Sequence, residues 1–339
     1  MKKSIIFILM LLALVGCGKE EQKNELYLFN WSDYIPDEVI TNFENETGIK
    51  VISDYYSSNE EMYAKIKAGG DGYDITVPST DYAEIMMKQG MLEKIDRSKI
   101  SNLKELNKDI GSKITFDKDH DYIIPYSVGA TGIAVNTKYV KDFDRSFDIY
   151  NREDLKGKMT LLDDMREVMS SALTIAGHSP DSSDPQDLED AKEIILKWKE
   201  NILKFDSESF GKGFSNGEYL VVHGYYENIV AHMTDEQADN MVFFIPEKGA
   251  QMYIDSMVIL KGSKNIENAH KFINYIYRPE VYVKIIDYLE TPSINIGANK
   301  IRETTPVYDI KDLKDAYLMR DLGEALTPQS EVWNEILTQ

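Results

Sequence analysis

From residue 26 onward, short apolar segments alternate with longer segments whose apolar residues recur at helical spacing. The pattern predicts strands at 26–31, 50–55 and 73–78, and helices at 37–47, after Ser58, and from 79 to 90. Strands that alternate with helices at this spacing are typical of parallel sheets joined by crossover helices. The sequence therefore predicts an α/β fold.

The second part of the chain continues this pattern less regularly. Further strands are predicted at 123–135, 159–162, 219–223, 241–245 and 255–260, with long helices at 187–203 and 266–288. A length of 339 residues suggests about two domains. Because no Pro/Gly/Ser-rich linker divides them, we expect the chain to pass between the domains within structured segments.

The N-terminus has the features of a secretory signal. Two lysines precede an apolar run at 4–15, which is followed by Gly16 and Cys17, the single cysteine of the chain. The run is too short to span a bilayer, and the polar residues 18–25 predict a flexible tether. The segment 14–17 resembles the lipobox of bacterial lipoproteins, which implies that Cys17 is lipidated. The protein is then extracytoplasmic and anchored to a membrane by acyl chains.

Charge and motifs exclude several classes of function. With 58 acidic and 38 basic residues, the net charge of −20 argues against nucleic-acid binding and favours cationic ligands. Asp117, Asp119 and Asp121 begin like an EF-hand loop, but positions six and twelve of that loop do not match, so we interpret the segment as a solvated turn. The glycine-rich segment 211–217 lacks the spacing of a nucleotide loop and is interpreted as a loop.

The sequence also lacks the common motifs of metal-binding and catalytic sites. The five histidines have no metal-ligand spacing, and no G-x-S-x-G nucleophile motif occurs. Adjacent Tyr225 and Tyr226 raise the alternative of ferric iron, which would require further histidine or carboxylate ligands. We therefore expect no metal site, no cofactor and no catalytic residue.

What remains is a set of turns that each follow a predicted strand and combine an aromatic residue with a carboxylate. In open parallel sheets, ligands bind beyond the carboxyl ends of the strands. The turns after Phe29, Val77, Leu162 and Val222 occupy such positions, and the segment 252–255 has the same composition. An ammonium group over an aromatic face gains about 0.5 to 2 kcal/mol, and a carboxylate about 4 Å away adds about 4 kcal/mol of gross attraction at a dielectric of 20. The set indicates a short, flexible amine with several charges.

At this point the chain resembles the spermidine/putrescine-binding proteins of bacterial polyamine ABC transporters. The likeness is carried by the segments 30–34, 43–51, 73–80, 163–168 and 253–256. It implies a two-lobe periplasmic-binding-protein fold of type II with two crossover segments. Lobe one would hold 26–129 and 254–293, and lobe two 130–253 and 294–339. The resemblance further implies a monomer that delivers a polyamine to an ABC permease.

Residues of the first lobe take their roles from this resemblance. Trp31 and Tyr34 would form walls of the cleft. Ser32, Asp33 and Ser79 would make polar contacts at one end of the ligand.

The resemblance also implies roles for the carboxylates and tyrosines later in the chain. Asp164 and Glu167 would pair with an ammonium group from the second lobe, and Asp255 would hold the inner ammonium. Tyr225 and Tyr253 stand where the family commonly has stacking tryptophans.

Asp81 departs from the family, because spermidine binders often carry tyrosine there, and Tyr82 follows it directly. An extra acid at this place could change the preferred ligand length. The choice between a diamine and a triamine therefore stays open. Two alternatives remain: an envelope hydrolase that uses Asp164 with Glu167 or Asp255 as an acid/base pair, and a binder of another organic cation such as agmatine.

Overall fold

The computed structural model describes residues 24–69 and 72–339. The predicted signal, the lipobox with Cys17 and residues 18–23 of the predicted tether lie outside these ranges. The first strand begins at Glu25, one residue before the predicted strand, and the side-chain amide of Asn24 donates to the carbonyl of Gly48 at 2.9 Å. None of the helices in the described ranges is long and apolar enough to cross a bilayer.

Eleven strands in the described ranges form two sheets. They are β1 (Glu25–Trp31), β2 (Lys50–Tyr56), β3 (Ile75–Thr76), β4 (Ile123–Ala130), β5 (Gly132–Asn136), β6 (Met159–Leu161), β7 (Lys204–Phe205), β8 (Val221–Gly224), β9 (Met241–Phe244), β10 (Gln251–Ile259) and β11 (Tyr317–Leu318).

Helices connect and cover these strands. The α-helices are α1 (Asp37–Thr47), α2 (Asn59–Lys67), α3 (Thr80–Lys88), α4 (Lys108–Gly111), α5 (Met165–Ala176), α6 (Pro185–Lys199), α7 (Phe210–Ser215), α8 (Tyr226–Val230), α9 (Asp235–Ala238), α10 (Ile266–Ile276), α11 (Pro279–Leu289), α12 (Ile296–Ile301) and α13 (Leu326–Thr338). Short 3₁₀ helices span Arg97–Lys99, Ser101–Glu105, Phe147–Asn151, Glu153–Leu155, Ile310–Leu313 and Gly323–Ala325.

The two sheets differ in size and are both mixed. The large sheet has the order β11-β10-β3-β1-β2, with β4 also paired to β10, and the small sheet has the order β7-β6-β8-β5-β9. Strand β1 runs parallel to β2 and β3, and β6 runs parallel to β7 and β8, as the strand–helix alternation predicted. Strands β5 and β10 run antiparallel to their neighbours β8, β9, β3 and β4. These two strands enter their sheets directly from the other sheet, without a crossover helix, and therefore from the opposite end.

The predicted strand 123–135 is wrong in one respect, because it is two strands. β4 belongs to the large sheet and β5 to the small sheet, and the chain changes sheets at Thr131, which is buried. All residues of β4 and most of β5 are buried on both faces, so hydrophobicity gave no sign of the break. This junction is one connection between the two sheets, and the segment from β9 to β10 is a second.

A third connection lies later than the expected boundary at 294. The side-chain amide of Asn295 donates to the carbonyl of Tyr277 at 2.8 Å, and β11 pairs with β10 in the large sheet. Helix α13 packs against the small sheet, where the Trp333 ring lies 5.0 Å from the ring of Phe205. The chain therefore stays beside the large sheet until after Leu318.

Two further predictions were wrong for local reasons. The helix predicted at 266–288 is two helices, α10 and α11, because Pro279 cannot continue the preceding helix and instead begins the next one. Most of the loop predicted at 211–217 is helix α7, which spans Phe210–Ser215. Its glycines serve close packing, since a Cβ at Gly213 would lie 2.1 Å from the Tyr219 ring.

Candidate ligand-binding site

Several predicted site residues directly follow the carboxyl ends of strands in both sheets. Trp31 is the last residue of β1, and Ser79 precedes α3 just after β3. In the small sheet, Asp164 precedes α5 after β6, and Tyr225 precedes α8 after β8. The carboxyl ends of parallel strands meet at one edge of a sheet. The predicted strand-end residues are therefore brought to the facing edges of the two sheets.

Asp255 in β10 is a buried carboxylate with two hydroxyl partners. Its side chain is 4% exposed. The Tyr34 hydroxyl donates to Oδ2, and the Ser79 hydroxyl donates to Oδ1 at 2.5 Å. No ion pair within the described residues involves Asp255, and burial raises its pKa to about 6 although both hydrogen bonds oppose the shift. Asp255 is thus a fixed negative charge that lacks a counter-ion.

A β-bulge in β4 lies opposite Asp255, with Tyr126 as the extra residue. The register between β10 and β4 shifts between Asp255 and Ser256, where Asp255 lies opposite Ser127 and Ser256 lies opposite Pro125. Proline has no N–H to continue the ladder, and bulges beside functional sites commonly redirect a side chain. The bulge in β4 therefore lies directly beside the candidate site.

Aromatic rings from the large sheet form a wall beside this carboxylate. The Trp31 indole donates to the carbonyl of Val77 at 2.8 Å, and its ring lies 6.5 Å from Tyr34 and 4.7 Å from Tyr56. The Tyr34 ring also packs at 5.3 Å against Tyr126, whose hydroxyl donates to the Tyr34 carbonyl at 2.6 Å. The wall is held by its own hydrogen bonds and needs no ligand to form.

The small sheet supplies two carboxylates from the first turn of α5. Asp164 caps the helix, because its Oδ1 accepts from the backbone N–H of Arg166 at 2.8 Å and of Glu167 at 3.2 Å. Glu167 is 1% exposed, and its Oε2 accepts from the Thr131 hydroxyl at 2.7 Å. Its Oε1 has no hydrogen-bond partner in the described structure. Burial, reinforced by the charge of Asp164, raises the pKa of Glu167 to about 8.

Tyr225 and Tyr253 lie near carboxylates that come from both sheets. Their rings are 6.1 Å apart at 63°. Burial raises the pKa of Tyr225, and the negative charges of Glu167, Asp164, Glu227 and Asp255 raise it further. Carboxylates from both sheets therefore act on one aromatic ring. The Tyr253 ring lies directly over Gly129, where a Cβ would come within 2.1 Å of its hydroxyl.

The structure does not bring every predicted residue to this place. Ser32 and Asp33 are exposed and line a groove of about 550 Å³ on the large sheet, together with Tyr34, Tyr55 and Tyr288. No hydrogen bond or ion pair joins either residue to Asp255. Their roles as ligand contacts stay predictions.

Asp81 and Tyr82 also have protein partners. The Tyr82 hydroxyl donates to Glu60 at 3.0 Å, and its ring packs at 5.7 Å against Tyr63 on the neighbouring helix α2. Asp81 forms an ion pair with Arg166 at 3.5 Å. Both remain predicted ligand contacts that the geometry does not test.

Two residues of the site were missed. Glu227 lies in a turn that sequence analysis selected, and its charge raises the pKa of Asp255, Tyr225 and Tyr253. Its place in a turn that also carries Tyr225 and Tyr226 was the sequence feature that could have identified it. Arg166 was overlooked because a cation is unexpected in a site for cations.

The residues present give no sign of a metal centre. Within the described ranges, no group of three or more His, Cys, Asp or Glu side chains is placed to hold a metal ion. The rings of Tyr225 and Tyr226 pack against different partners, Tyr253 and Phe243. The tyrosine pair therefore shows no arrangement that would favour the iron alternative.

Comparisons with known proteins identify the family of this chain. Residues 38–306 match the model of the bacterial extracellular solute-binding proteins. The spermidine/putrescine-binding periplasmic protein of Escherichia coli K12 is 35% identical over 331 residues, which cover 95% of this chain and 94% of that protein. The putrescine-binding periplasmic protein SpuD of Pseudomonas aeruginosa is 32% identical, over 98% and 97% of the two chains. The crystal structure of the TpPotD lipoprotein of Treponema pallidum superposes with a TM-score of 0.87 at 38% identity, over 92% of this chain and 99% of that one.

Proposed function

Since this chain belongs to the bacterial extracellular solute-binding proteins and shares their two-lobe fold, we propose that it captures a polyamine between its lobes and delivers it to an ABC permease. The relatives named for spermidine and putrescine support this ligand class. The resemblance predicted from the sequence is confirmed at the level of the family.

One observation carries the choice of ligand. Asp255 in the large sheet and Glu167 in helix α5 beside the small sheet are buried carboxylates, and neither forms an ion pair within the described structure. A buried charge without a partner costs several kcal/mol, which raises the pKa of both groups, and an ammonium group that reaches either one favours its ionised form. The rings of Tyr34, Tyr225 and Tyr253 lie near these carboxylates. Aromatic faces suit both an ammonium group and the methylene spacers of a polyamine.

Lobe closure is the proposed mechanism. Lobe one would contain the large sheet and lobe two the small sheet. The predicted division into 26–129 with 254–293 and 130–253 with 294–339 is adjusted, because residues 294–318 lie beside the large sheet. A ligand that contacts Asp255 from one lobe and Glu167 from the other favours the closed state, because only that state offers both contacts.

The proposed location is extracytoplasmic, at a membrane. Cys17 would carry the lipid, and residues 18–24 would connect it to β1. We further propose a monomer whose closed form docks on the permease. Mass spectrometry of the protein made in a bacterial host would show the added acyl mass on an N-terminal Cys17 peptide, and its absence would contradict the anchor.

Binding, and not hydrolysis, is the proposed activity. Oδ1 of Asp164 already accepts two backbone N–H groups as a helix cap, which leaves it less available as a nucleophile or base. Glu167 lies on the same helical turn, so the two carboxylates approach a ligand from one side. A glycosidase needs its two carboxyl groups on opposite sides of the scissile bond, which the pair of Asp164 and Glu167 does not offer. In the other pair, Asp164 with Asp255, both oxygens of Asp255 already accept from the hydroxyls of Tyr34 and Ser79.

Calorimetry tests the proposal. Residues 18–339, refolded to remove any amine that is carried through purification, are titrated with putrescine, spermidine and spermine, and with uncharged 1,4-butanediol as a control. We expect tight one-to-one binding of at least one amine and no binding of the diol. The absence of heat and of a thermal shift with all three amines would overturn the polyamine assignment. The preferred amine settles the choice between diamine and triamine.

A further inference from the structure

An ion pair joins the two sheets beside the ligand site. Asp81 lies in the first turn of α3 on the large sheet, and Arg166 lies in the first turn of α5 on the small sheet. The Arg166 Nη1 atom is 3.5 Å from Oδ2 of Asp81, and the two side chains are only 20% and 15% exposed. The contact therefore lies mostly out of solvent, where screening by salt is weak.

Arg166 reaches helix α3 by a second route. Its other terminal nitrogen donates to the backbone carbonyl of Arg320, in the segment after β11. The Arg320 guanidinium in turn donates to both carboxylate oxygens of Glu84 in α3, at 2.9 and 3.2 Å. Glu84 is buried and also pairs with Lys88 at 3.1 Å. One arginine of the small sheet is thus connected twice to the same helix of the large sheet.

We propose that Asp81 and Arg166 form a latch between the lobes, and that Asp81 positions the site without binding the ligand. The pair exists only while the lobes are close, so it stabilises that arrangement before a ligand arrives. Arg166 is flanked by Asp164 and Glu167, so the latch also fixes the helical turn that carries both carboxylates. The role in ligand retention rests on the proposed function, whereas the effect on lobe closure does not.

Charge supports this assignment of Asp81. Burial raises the pKa of Asp81, and the nearby positive charge of Arg166 opposes that shift. Asp255 and Glu227 have no such cation among the ion pairs of the described residues. An incoming ammonium group therefore gains less from Asp81, whose charge is already compensated, than from the unpaired carboxylates.

The latch is tested first in the absence of ligand. The full chain with Cys17→Ser, kept soluble in mild detergent, has no other cysteine, so spin labels at Lys104→Cys and Glu193→Cys report the distance between the lobes. We expect Asp81→Asn and Arg166→Gln each to shift the ratio of short to long distances by about tenfold toward long. The double variant should shift it no further. Glu46→Gln and Arg278→Gln are matched controls, since they remove the same charges from an ion pair within the large-sheet half and should leave the distances unchanged.

Two results would overturn the latch. One is an unchanged distance distribution in Asp81→Asn. The other is a double variant whose shift equals the product of the single shifts, because independent residues are not a pair. If the unsubstituted chain binds no polyamine, the proposed function fails, and the distances still decide the latch.

Spermidine titrations of the same variants separate the latch from direct ligand contact. With a latch, Asp81→Asn weakens binding about tenfold in the unsubstituted chain and hardly at all when Arg166→Gln is already present. An equal loss in both backgrounds would instead identify Asp81 as a ligand contact and would overturn the inference.

Discussion

The hydroxyl of Tyr34 donates a hydrogen bond to the carboxylate of Asp255, 221 positions further along the chain. Tyr34 follows the first strand of the large sheet, and Asp255 lies in the long strand that returns from the small sheet. The contact therefore needs the completed fold. Because Ser79 holds the other carboxylate oxygen, the charge is oriented before a ligand arrives, which lowers the entropic cost of binding.

Asp255→Asn should weaken spermidine or putrescine binding by about 100-fold or more, because it removes a buried charge that pairs with an ammonium group. Stability should not fall. The raised pKa of Asp255 means that its ionised form is less favourable in the folded protein than in the unfolded chain, although it still predominates at pH 7. Calorimetric titration and urea unfolding at pH 7 measure the two effects.

Asp206→Asn is the matched control for that variant. Asp206 is also buried, but hydrogen bonds from Ser209 and the nearby Lys204 outweigh burial and lower its pKa. This variant should lose stability and keep its affinity, the reverse of Asp255→Asn. Equal affinity of Asp255→Asn and the unsubstituted protein would contradict the assignment of Asp255.

Ligand binding at pH 7 should release protons. With a pKa of about 8, Glu167 is mostly protonated in the ligand-free protein, and a nearby ammonium group favours its ionised form. The measured binding enthalpy should therefore differ between phosphate and Tris buffers, which have different ionisation enthalpies. Glu167→Gln should remove the difference, and identical enthalpies for the unsubstituted protein in both buffers would contradict the prediction.

The stability of the ligand-free protein should fall as pH rises toward 8. The pKa of Glu167 is higher in the folded state than its ordinary value of 4.5, so between these values the folded state binds more protons than the unfolded state. The free energy of unfolding then decreases by up to about 1.4 kcal/mol per pH unit from this residue. Urea unfolding from pH 5 to 8 measures the slope, which should be smaller in Glu167→Gln; an equal slope in both proteins would refute the assignment.

Tyr225→Leu should weaken polyamine binding by about 3- to 30-fold, since an aromatic face contributes about 0.5 to 2 kcal/mol to a bound cation. Tyr226→Leu is the control, because the Tyr226 ring packs on Phe243 and not toward the carboxylates. Calorimetry with spermidine compares the two. Similar losses in both variants would mean that Tyr225 acts through packing alone.

Thr131→Val should weaken binding by about tenfold or more, because one hydrogen bond to a charged group contributes about 1.5 to 3 kcal/mol. The Thr131 hydroxyl donates to Glu167 at the junction of β4 and β5, so its loss makes ionisation of Glu167 harder. Valine keeps the shape of the side chain. The effect should vanish in Glu167→Gln, and a full effect in that background would show that Thr131 acts on the junction instead.

Much of the fold followed from local pattern. Helix α1 has the predicted bounds, and the Ser58 hydroxyl caps α2 by accepting from the Glu61 N–H. The break at Thr131 was missed because both flanking strands are buried, so no polar residue marks the change of sheet. The helical glycines of α7 were missed because their close contacts, with Tyr219 and Asn228, form only in the folded protein.

The candidate site, like the fold, could be predicted from the sequence only in part. Asp255, Glu167 and Tyr225 could be predicted as candidate ligand contacts because strand-end turns and residue type indicate a cation site without knowledge of distances. The partner of each carboxylate was not predictable. Glu167 accepts a hydrogen bond from Thr131, whereas Asp81 forms an ion pair with Arg166. Only the three-dimensional structure shows which carboxylate lacks a cationic partner and which already has one.

A crystal structure of the spermidine complex tests the central claim most directly. We predict one amine nitrogen within hydrogen-bonding distance of Asp255, a second beside Glu167 or Asp164, and methylene groups against Tyr225 and Tyr253. The Asp81–Arg166 pair should stay intact. A ligand that leaves Asp255 bonded only to Tyr34 and Ser79 would contradict the account.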